Sequence, residues 1–243
     1  MYPSTQSIRE IVKTHPSAIN VFERFDIDLC SLADSSLEQA CAELQLSVDQ
    51  VLEKLAGAQS AEPGAIASDP ADLPLTQLIQ RIVRVHHQKV RQELPWLADM
   101  ARKVAAKRRD RVPELDQVVA LIEELHSDLL AHIQKEEQVL FPFIAQMDQE
   151  LVVNYPAGHA CFRSVSFPIF MMEQEHETSS HIMEKLRAIT SGFEPPQWAC
   201  ITHSALFAAI CEFESDLKKH VHLENDVLFP RAIQMEAELN QRG

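Results

Sequence analysis

The sequence predicts an all-α protein: an antiparallel four-helix bundle preceded by a small helical N-terminal domain. Only 5 glycines and 6% aromatic residues argue against a turn-rich β protein, and 46% hydrophobic residues are enough to build a core. The second half carries long stretches with apolar residues at the spacing of amphipathic helices. A repeat within that half indicates a duplicated helical hairpin, and two hairpins related by a pseudo-twofold axis make an up-down-up-down bundle.

The N-terminal part, residues 1–56, predicts short helices because residues that favour helix starts recur along it. These residues are Ser7, Pro16, Ser35 or Ser36, and Ser47. The next stretch, residues 57–74, is rich in Ala, Gly, Pro and Ser without any periodicity, so it predicts a linker.

The remaining residues, 75–243, predict the bundle. Its four long helices are expected at about 75–107, 113–147, 169–190 and 197–239. A longer connection is expected between the second and third helices, and the stop signal Gly192-Phe-Glu-Pro-Pro196 separates the third from the fourth.

The charge and the cysteines limit the partners and the compartment. A formal net charge of −14 repels phosphate backbones and anionic lipid, so neither nucleic acid nor a membrane surface is expected as a partner. The 5 cysteines are scattered and include no C-x-x-C pair, which predicts reduced thiols in a cytoplasmic protein. The first ten residues lack the basic and apolar regions of a signal peptide.

The repeat is the most informative feature of the sequence. HIQKEEQVLFP begins at His132 and HVHLENDVLFP begins at His220, with six of eleven positions identical. Each copy contains His-x-x-x-Glu, namely His132 with Glu136 and His220 with Glu224. Each copy is also preceded, at a similar distance, by a further histidine, His87 or His176.

The spacing places both His-x-x-x-Glu pairs on the apolar faces of their helices. Residues four apart lie one turn apart on one face, and the apolar stripes of both helices run through these pairs. Two carboxylates inside a bundle are costly unless positive charge meets them, and neither stripe offers Lys or Arg near the glutamates. Four imidazoles and two bridging carboxylates suit a pair of iron or manganese ions. Each ion would keep about two positions, one for a bridging oxo or hydroxo group and one for a diatomic ligand.

Periodicity leaves the histidine of the first long helix open. The apolar stripe of that helix centres nearer His86 than His87. His126, His181 and His222 do not share the face of their neighbouring candidate ligand, and surface positions are expected for three others. Those three are His15, His159 and His203.

These residues resemble a known family. A ligand set with more histidines than carboxylates is hemerythrin-like, and the two repeats resemble the paired motifs of the iron–sulfur cluster repair di-iron proteins (the RIC, or ScdA/YtfE-type, family). Residues 167–176, FPIFMMEQEH, resemble the third ligand segment of that family. His86-His87 followed by RQELP resembles the first ligand segment, and this match assigns His87 as the ligand. IREIV, VFERFDIDLC and LEQAC resemble the family's small N-terminal domain.

The resemblance implies two non-haem irons (Fe²⁺/Fe³⁺) held by six side chains. These are His87, His132, Glu136, His176, His220 and Glu224. It also implies repair of iron–sulfur proteins damaged by nitric oxide or peroxide, through iron donation or nitric oxide handling, and a homodimer. The expected partners are damaged or apo iron–sulfur proteins, with nitric oxide or oxygen as small ligands. One departure concerns Cys30, which is followed by Ser-Leu-Ala where the family usually has a second cysteine and glycines.

The same ligands would also suit two other functions. A hemerythrin-like carrier or sensor would bind oxygen or nitric oxide reversibly without losing iron. A reductase would turn over nitric oxide or peroxide when electrons are supplied. The N-terminal domain favours repair, because a simple carrier would not require it.

Overall fold

The fold is all-α, as the sequence predicts. The computed structural model describes residues 3–15, 18–27, 32–59, 72–108, 110–153 and 164–242, and their regular structure is helical apart from a single bridge between Ser7 and Ser36. Most of the predicted linker, and the positions of Cys30 and His159, lie outside the described residues. Among the described helices, none is both long and apolar enough to cross a membrane.

Three of the four N-terminal helices begin at serines that the sequence indicates, while Pro16, the predicted start of the other one, lies outside the described residues. The four helices are α1 (Ile8–Thr14), α2 (Ala18–Arg24), α3 (Leu37–Glu43) and α4 (Val48–Gln59). The Ser7 hydroxyl accepts a hydrogen bond from the Glu10 N–H, which caps α1. Ser36, rather than Ser35, caps α3 in a capping box with Gln39. Apolar side chains from these helices are fully buried, among them Ile8, Ile11, Phe22, Leu37 and Leu55.

The four long predicted helices are present, but three of them contain a π-helical turn. The segments in chain order are α5 (Leu75–Ile82), the π-turn Val83–His87, α6 (Gln88–Arg108), α7 (Leu115–Lys135), the π-turn Glu136–Leu140, α8 (Phe141–Val153), α9 (Ser166–Ile189), α10 (Ile201–His222), the π-turn Leu223–Leu228 and α11 (Phe229–Arg242). Periodicity predicts a regular α-helix at each of these places, and Pro142 and Pro230 predict a kink, so the π-turns themselves are not anticipated by the sequence.

The chain divides into two compact units. The first comprises Met1–Ala65, Leu97–Val119 and Arg187–Phe213, and the second comprises Ile66–Trp96, Ala120–Leu186 and Glu214–Gly243. The predicted limits of the N-terminal domain, the linker and the bundle remain predictions.

A hydrophobic core fills one part of the second unit. It draws on α5, α8, the start of α9 and α11, with fully buried Leu78, Ile82, Ile144 and Phe229 among its members. Apolar burial of this extent is the main force that stabilises a helical unit of this kind. It also holds the three π-turns in fixed positions, because residues of these turns (Val83, Leu140, Leu223 and Leu228) pack within it or against it.

Candidate metal centre

All six predicted ligand side chains lie together in the second unit. His87 ends the first π-turn, His132 lies near the end of α7, His176 is in α9 and His220 is near the end of α10. Glu136 and Glu224 lie in the first turns of the second and third π-turns. Each of the six residues is at most 2% exposed, so the prediction that both carboxylates are buried is confirmed.

The six side chains form two groups that share both carboxylates. One group contains His87 and His220, and the other contains His132 and His176. Within each group, the candidate ligand atoms lie within 4.8 Å of one another. We call these groups the 87/220 half and the 132/176 half.

Each carboxylate directs one oxygen toward each half. Glu136 Oε2 is 3.4 Å from His87 Nε2, and its Oε1 is 3.4 Å from His132 Nε2. Glu224 Oε1 is 3.0 Å from His220 Nε2, and its Oε2 is 3.1 Å from His176 Nε2. This is the arrangement that two carboxylates need in order to bridge a pair of cations.

Two of the π-turns fix the backbone of these carboxylates. The Phe141 N–H donates to the Glu136 carbonyl, and the Phe229 N–H donates to the Glu224 carbonyl. In each case the next residue is a proline, Pro142 or Pro230, which has no N–H for the helical ladder. Single π-turns inside α-helices are common at functional sites, because the extra residue changes the direction of the side chains.

Several buried polar atoms of this cluster have no hydrogen-bond partner among the residues that the structure describes. They are His132 Nε2, both carboxylate oxygens of Glu136, His176 Nε2 and Glu224 Oε2. Buried polar atoms are normally paired, so a group of orphans facing one another requires an explanation. Inward-facing nitrogen lone pairs and carboxylate oxygens are the donors that a transition-metal ion binds, so the residues fit a metal site.

Three of the four histidines have the outer ring nitrogen fixed by a neighbour. His87 Nδ1 is 2.7 Å from Glu137 Oε1, and His132 Nδ1 is 3.0 Å from Glu175 Oε2. His176 Nδ1 is 2.8 Å from Asn225 Oδ1. Because these oxygens accept hydrogen bonds, Nδ1 carries the proton, and a neutral ring then directs the Nε2 lone pair inward.

Two cationic side chains hold the outer carboxylates. Arg91 pairs with both oxygens of Glu137, at 2.9 and 2.8 Å, and Lys135 pairs with Glu175 at 2.5 Å. The hydrogen bond from His132, together with Lys135, lowers the pKa of Glu175 to about 2. Both outer carboxylates are therefore held as anions that can accept from a histidine.

The two shared carboxylates attract positive charge strongly. Burial by itself lowers the pKa of His87, but the attraction of the nearby Glu136 and Glu224 carboxylates, 3.4 and 3.5 Å from its Nε2, outweighs burial and raises it to about 9. The same balance at His132, mainly with Glu136, raises its pKa to about 10. Burial raises the pKa of Glu224, yet the charges and hydrogen bonds of the surrounding histidines hold it well below its ordinary value. The interior of this unit is thus built to hold cationic charge.

Comparison with known proteins identifies the two parts of the chain. Residues 78–232 match the hemerythrin HHE cation-binding domain, and residues 4–59 match the ScdA_N domain, whose function is described as unknown. The iron–sulfur cluster repair protein YtfE of Pectobacterium atrosepticum is 33% identical over 234 residues, covering 95% of this chain and 98% of the relative. That of Musicola paradisiaca is 33% identical over 237 residues, covering 98% of this chain and 100% of the relative. A probable iron–sulfur cluster repair protein of Haemophilus influenzae is 32% identical over 228 residues, covering 94% and 96%.

The chain belongs to this family of iron–sulfur cluster repair proteins. The family resemblance drawn from the two repeats is thereby confirmed, as is the hemerythrin-like fold class. The assignment of the six individual ligands remains a prediction that the geometry supports.

In this repair-family chain, the structure places His87 rather than His86 in the cluster. His86 turns away: its Nδ1 is 3.2 Å from Asp216 Oδ2, and its ring lies parallel to that of His220 with centroids 5.6 Å apart. Periodicity favours His86 because it assumes a constant α-helical rotation per residue. The π-turn Val83–His87 breaks that assumption within the very residues concerned.

The other histidines of the described ranges lie outside the cluster. His181 and His222 are exposed, and His222 pairs with Asp226 on the next turn. The prediction of a surface position for His203 is wrong. This side chain is fully buried, and its ring packs edge-on against that of Phe207, with centroids 4.6 Å apart. His203 is part of the buried apolar face of α10.

Sequence reasoning did not find the residues that orient the histidines. These are Glu137, Glu175 and Asn225, with Arg91 and Lys135 behind the two carboxylates. One signal was available: Glu137 and Asn225 occupy the same position in the two repeats, directly after the shared glutamate. Glu175 has no such signal, because it follows from the packing of α9 beside α7 rather than from the repeat.

Proposed function

We propose that this chain repairs iron–sulfur clusters damaged by nitrosative or oxidative stress, using two iron ions held by the cluster of four histidines and two glutamates. One ion would lie in each half, with Glu136 and Glu224 shared between them. The action would be iron donation to a damaged or apo iron–sulfur protein, nitric oxide handling, or both. The names of the full-length relatives and the match to a cation-binding domain support this function.

One observation carries the metal part of the proposal. Glu136 and Glu224 are fully buried, yet their oxygens divide between two separate histidine pairs. Burying two carboxylates costs several kcal/mol or more unless cations neutralise them. A single metal ion would satisfy one half and leave the oxygens of the other unpaired.

The donor set suits iron. Each half offers two imidazole nitrogens and two carboxylate oxygens, a mixed set that suits iron or manganese better than calcium or magnesium. When bound, a pair of irons supplies open coordination positions for a diatomic ligand and can change oxidation state. The protein contributes the rest through the positions of its own side chains.

The surrounding residues keep the imidazoles in one orientation and shield them from water. Glu137, Glu175 and Asn225 hold the protons of three histidines at Nδ1, so Nε2 is free to bind a cation. Phe141 stacks on His87 with centroids 5.6 Å apart, and Phe229 stacks on His176 at 6.2 Å. Both phenylalanines are buried and belong to the hydrophobic core, so this side of the site is dry.

The test begins with protein purified without oxygen. Iron per chain is measured first, and about two irons are expected. The loaded protein is then mixed with an apo iron–sulfur protein, and cluster assembly in the acceptor is followed by its visible absorbance. Transfer of iron supports the proposal, and a chain that holds no iron contradicts it.

The same sample separates repair from the other two functions. Reversible binding of oxygen or nitric oxide with the iron retained would instead indicate a carrier or sensor. Steady consumption of nitric oxide or peroxide with an electron donor would indicate a reductase. The homodimer and the cytoplasmic location remain predictions, which size-exclusion chromatography and cell fractionation would check.

A further inference from the structure

We propose that the two irons are held unequally, and that the ion in the 87/220 half is the one released first. This inference rests on the proposed function, since it names which of the two irons is donated. The inference depends on Nδ1, the outer ring nitrogen, of the four histidines. These four nitrogens differ in whether a neighbouring side chain accepts a hydrogen bond from them.

In the 132/176 half, both histidines have a hydrogen-bond acceptor at Nδ1. His132 Nδ1 has the anionic acceptor Glu175 at 3.0 Å, and His176 Nδ1 has the neutral acceptor Asn225 at 2.8 Å. Both imidazoles are therefore fixed in rotation and in tautomer before an ion binds.

In the 87/220 half, only one histidine has a hydrogen-bond acceptor at Nδ1 among the described residues. His87 Nδ1 has Glu137 at 2.7 Å, but His220 Nδ1 is buried and has no hydrogen-bond partner among the described residues. Among the described residues no acceptor holds the proton of His220 on Nδ1, although its Nε2 lies 3.0 Å from Glu224 Oε1 and 3.1 Å from His87 Nε2. The tautomer that binds an ion through Nε2 is therefore not stabilised from outside the site, as it is in the other three histidines.

The charged group one turn earlier on α10 is already engaged. Asp216 precedes His220 by four residues, but its Oδ2 is 3.2 Å from His86 Nδ1 and its Oδ1 is 3.7 Å from Lys89 Nζ. His86, the histidine that is not in the cluster, therefore engages the carboxylate that lies one helical turn before His220.

The expected size of the difference follows from known metal sites. Loss of an outer hydrogen-bond partner of a ligating histidine typically weakens metal binding about 10- to 100-fold. The ion of the 87/220 half should therefore leave about tenfold faster or more. It would leave as Fe²⁺ without electron transfer: His87, His220, Glu136 and Glu224, which would hold it, would give up their bonds to it, and the ligands of the acceptor would replace them.

The experiment measures release rather than activity. The loaded chain, reduced and free of oxygen, is mixed with excess ferrozine, a ferrous chelator, and absorbance is followed in a stopped-flow instrument. Two phases are expected, each with one iron per chain. A single phase that releases both irons would overturn the proposal.

Two matched substitutions assign the phases. Glu137→Gln and Glu175→Gln each replace an anionic acceptor with a neutral one of the same shape, one in each half. Glu137→Gln should accelerate the fast phase about tenfold and leave the slow phase unchanged, and Glu175→Gln should accelerate only the slow phase. The reverse assignment would overturn the proposal.

A third substitution works in the opposite direction. Asn225→Asp supplies an anionic acceptor to His176 and should slow the slow phase without changing the fast one; acceleration of either phase would contradict the proposal. Asp226→Asn, at the exposed partner of His222 next in the chain, is the matched control and should leave both phases unchanged.

The outcomes separate this inference from the function on which it rests. Two assigned phases without transfer to an apo iron–sulfur protein would leave unequal binding intact and remove the repair function. Transfer from a chain that releases both irons in one phase would do the opposite. A chain that never loads two irons would remove both.

Discussion

The two copies of the internal repeat share the residues that would contact a metal. Both retain the histidine, the glutamate four residues later and the closing Val-Leu-Phe-Pro, and both fold into a π-turn that begins at or next to the glutamate. The phenylalanine of each copy stacks on a histidine from the other helix of its own hairpin, His87 or His176. The groups that would touch a metal, and the backbone that places them, are thus equivalent.

The copies differ at the positions between these shared residues. Glu137 in the first copy corresponds to Asn225 in the second, so one histidine faces a charge where its counterpart faces an amide. Lys135 corresponds to Leu223: the lysine is half exposed and pairs with Glu175, whereas the leucine is buried in the core. The comparison indicates that a duplicated hairpin can preserve a symmetrical set of ligands while its surroundings make the two halves electrostatically different.

The largest expected effect comes from removing a shared carboxylate. Because Glu136 and Glu224 each serve both halves, Glu136→Ala or Glu224→Ala should lose both irons rather than one. Metal analysis of protein purified without oxygen measures this directly. His222→Ala, in the same repeat but exposed, should retain about two irons per chain. Unchanged metal content in both glutamate variants would refute the assignment.

Removing a histidine should have about half that effect. His87→Asn and His176→Asn occupy equivalent places in the two hairpins, and each should reduce the iron content to about one per chain. His86→Asn should keep both irons, since His86 bonds to Asp216 instead of facing the cluster. Iron loss in His86→Asn equal to that in His87→Asn would show that the helical period, and not the π-turn, selects the ligand.

That last comparison shows what could be read from the sequence. Caps and periodicity are local properties, and they predict the helix start at Ser7, a start at Ser35 or Ser36, the four long helices and the buried glutamates. The π-turns cannot be predicted in this way, because the spacing of apolar residues does not show an extra residue within a single turn. Acceptors such as Glu175 lie on a different helix from the histidine they orient, so a single helical period cannot find them.

The pH dependence of the metal-free protein sharpens the comparison between histidines and carboxylates. The pKa values of His87 and His132 are raised to about 9 and about 10 from 6.5. Their contribution to stability is therefore complete below pH 6.5 and is lost as the pH rises through those values. The pKa values of Glu136 and Glu224 are lowered from 4.5, so their contribution is present above that pH and is lost on acidification.

We expect the free energy of unfolding of the chelator-treated chain to fall by on the order of a few kcal/mol between pH 6 and pH 10. Urea unfolding followed by circular dichroism at several pH values measures this change. The iron-loaded chain should show a smaller slope over the same range, because metal ions replace the protons on its imidazoles. A metal-free chain that gains stability toward pH 10 would contradict the balance of charges described for this site.

The smallest effect is expected from a substitution at Lys135, an exposed position at which the first repeat differs from the second. Lys135→Ala removes the ion pair with Glu175, but the lysine side chain is 53% exposed, and exposed pairs contribute at most about 1 kcal/mol. The free energy of unfolding of the iron-loaded chain in urea should therefore change by less than about 1 kcal/mol. Lys185→Ala, which removes one exposed positive charge from α9, is the control. Iron content should stay at two per chain, because His132 keeps its hydrogen bond to Glu175 without the lysine. A loss of iron in Lys135→Ala would mean that Glu175 depends on the lysine for its position, and that the exposed parts of the repeats influence the metal centre as much as the buried ones do.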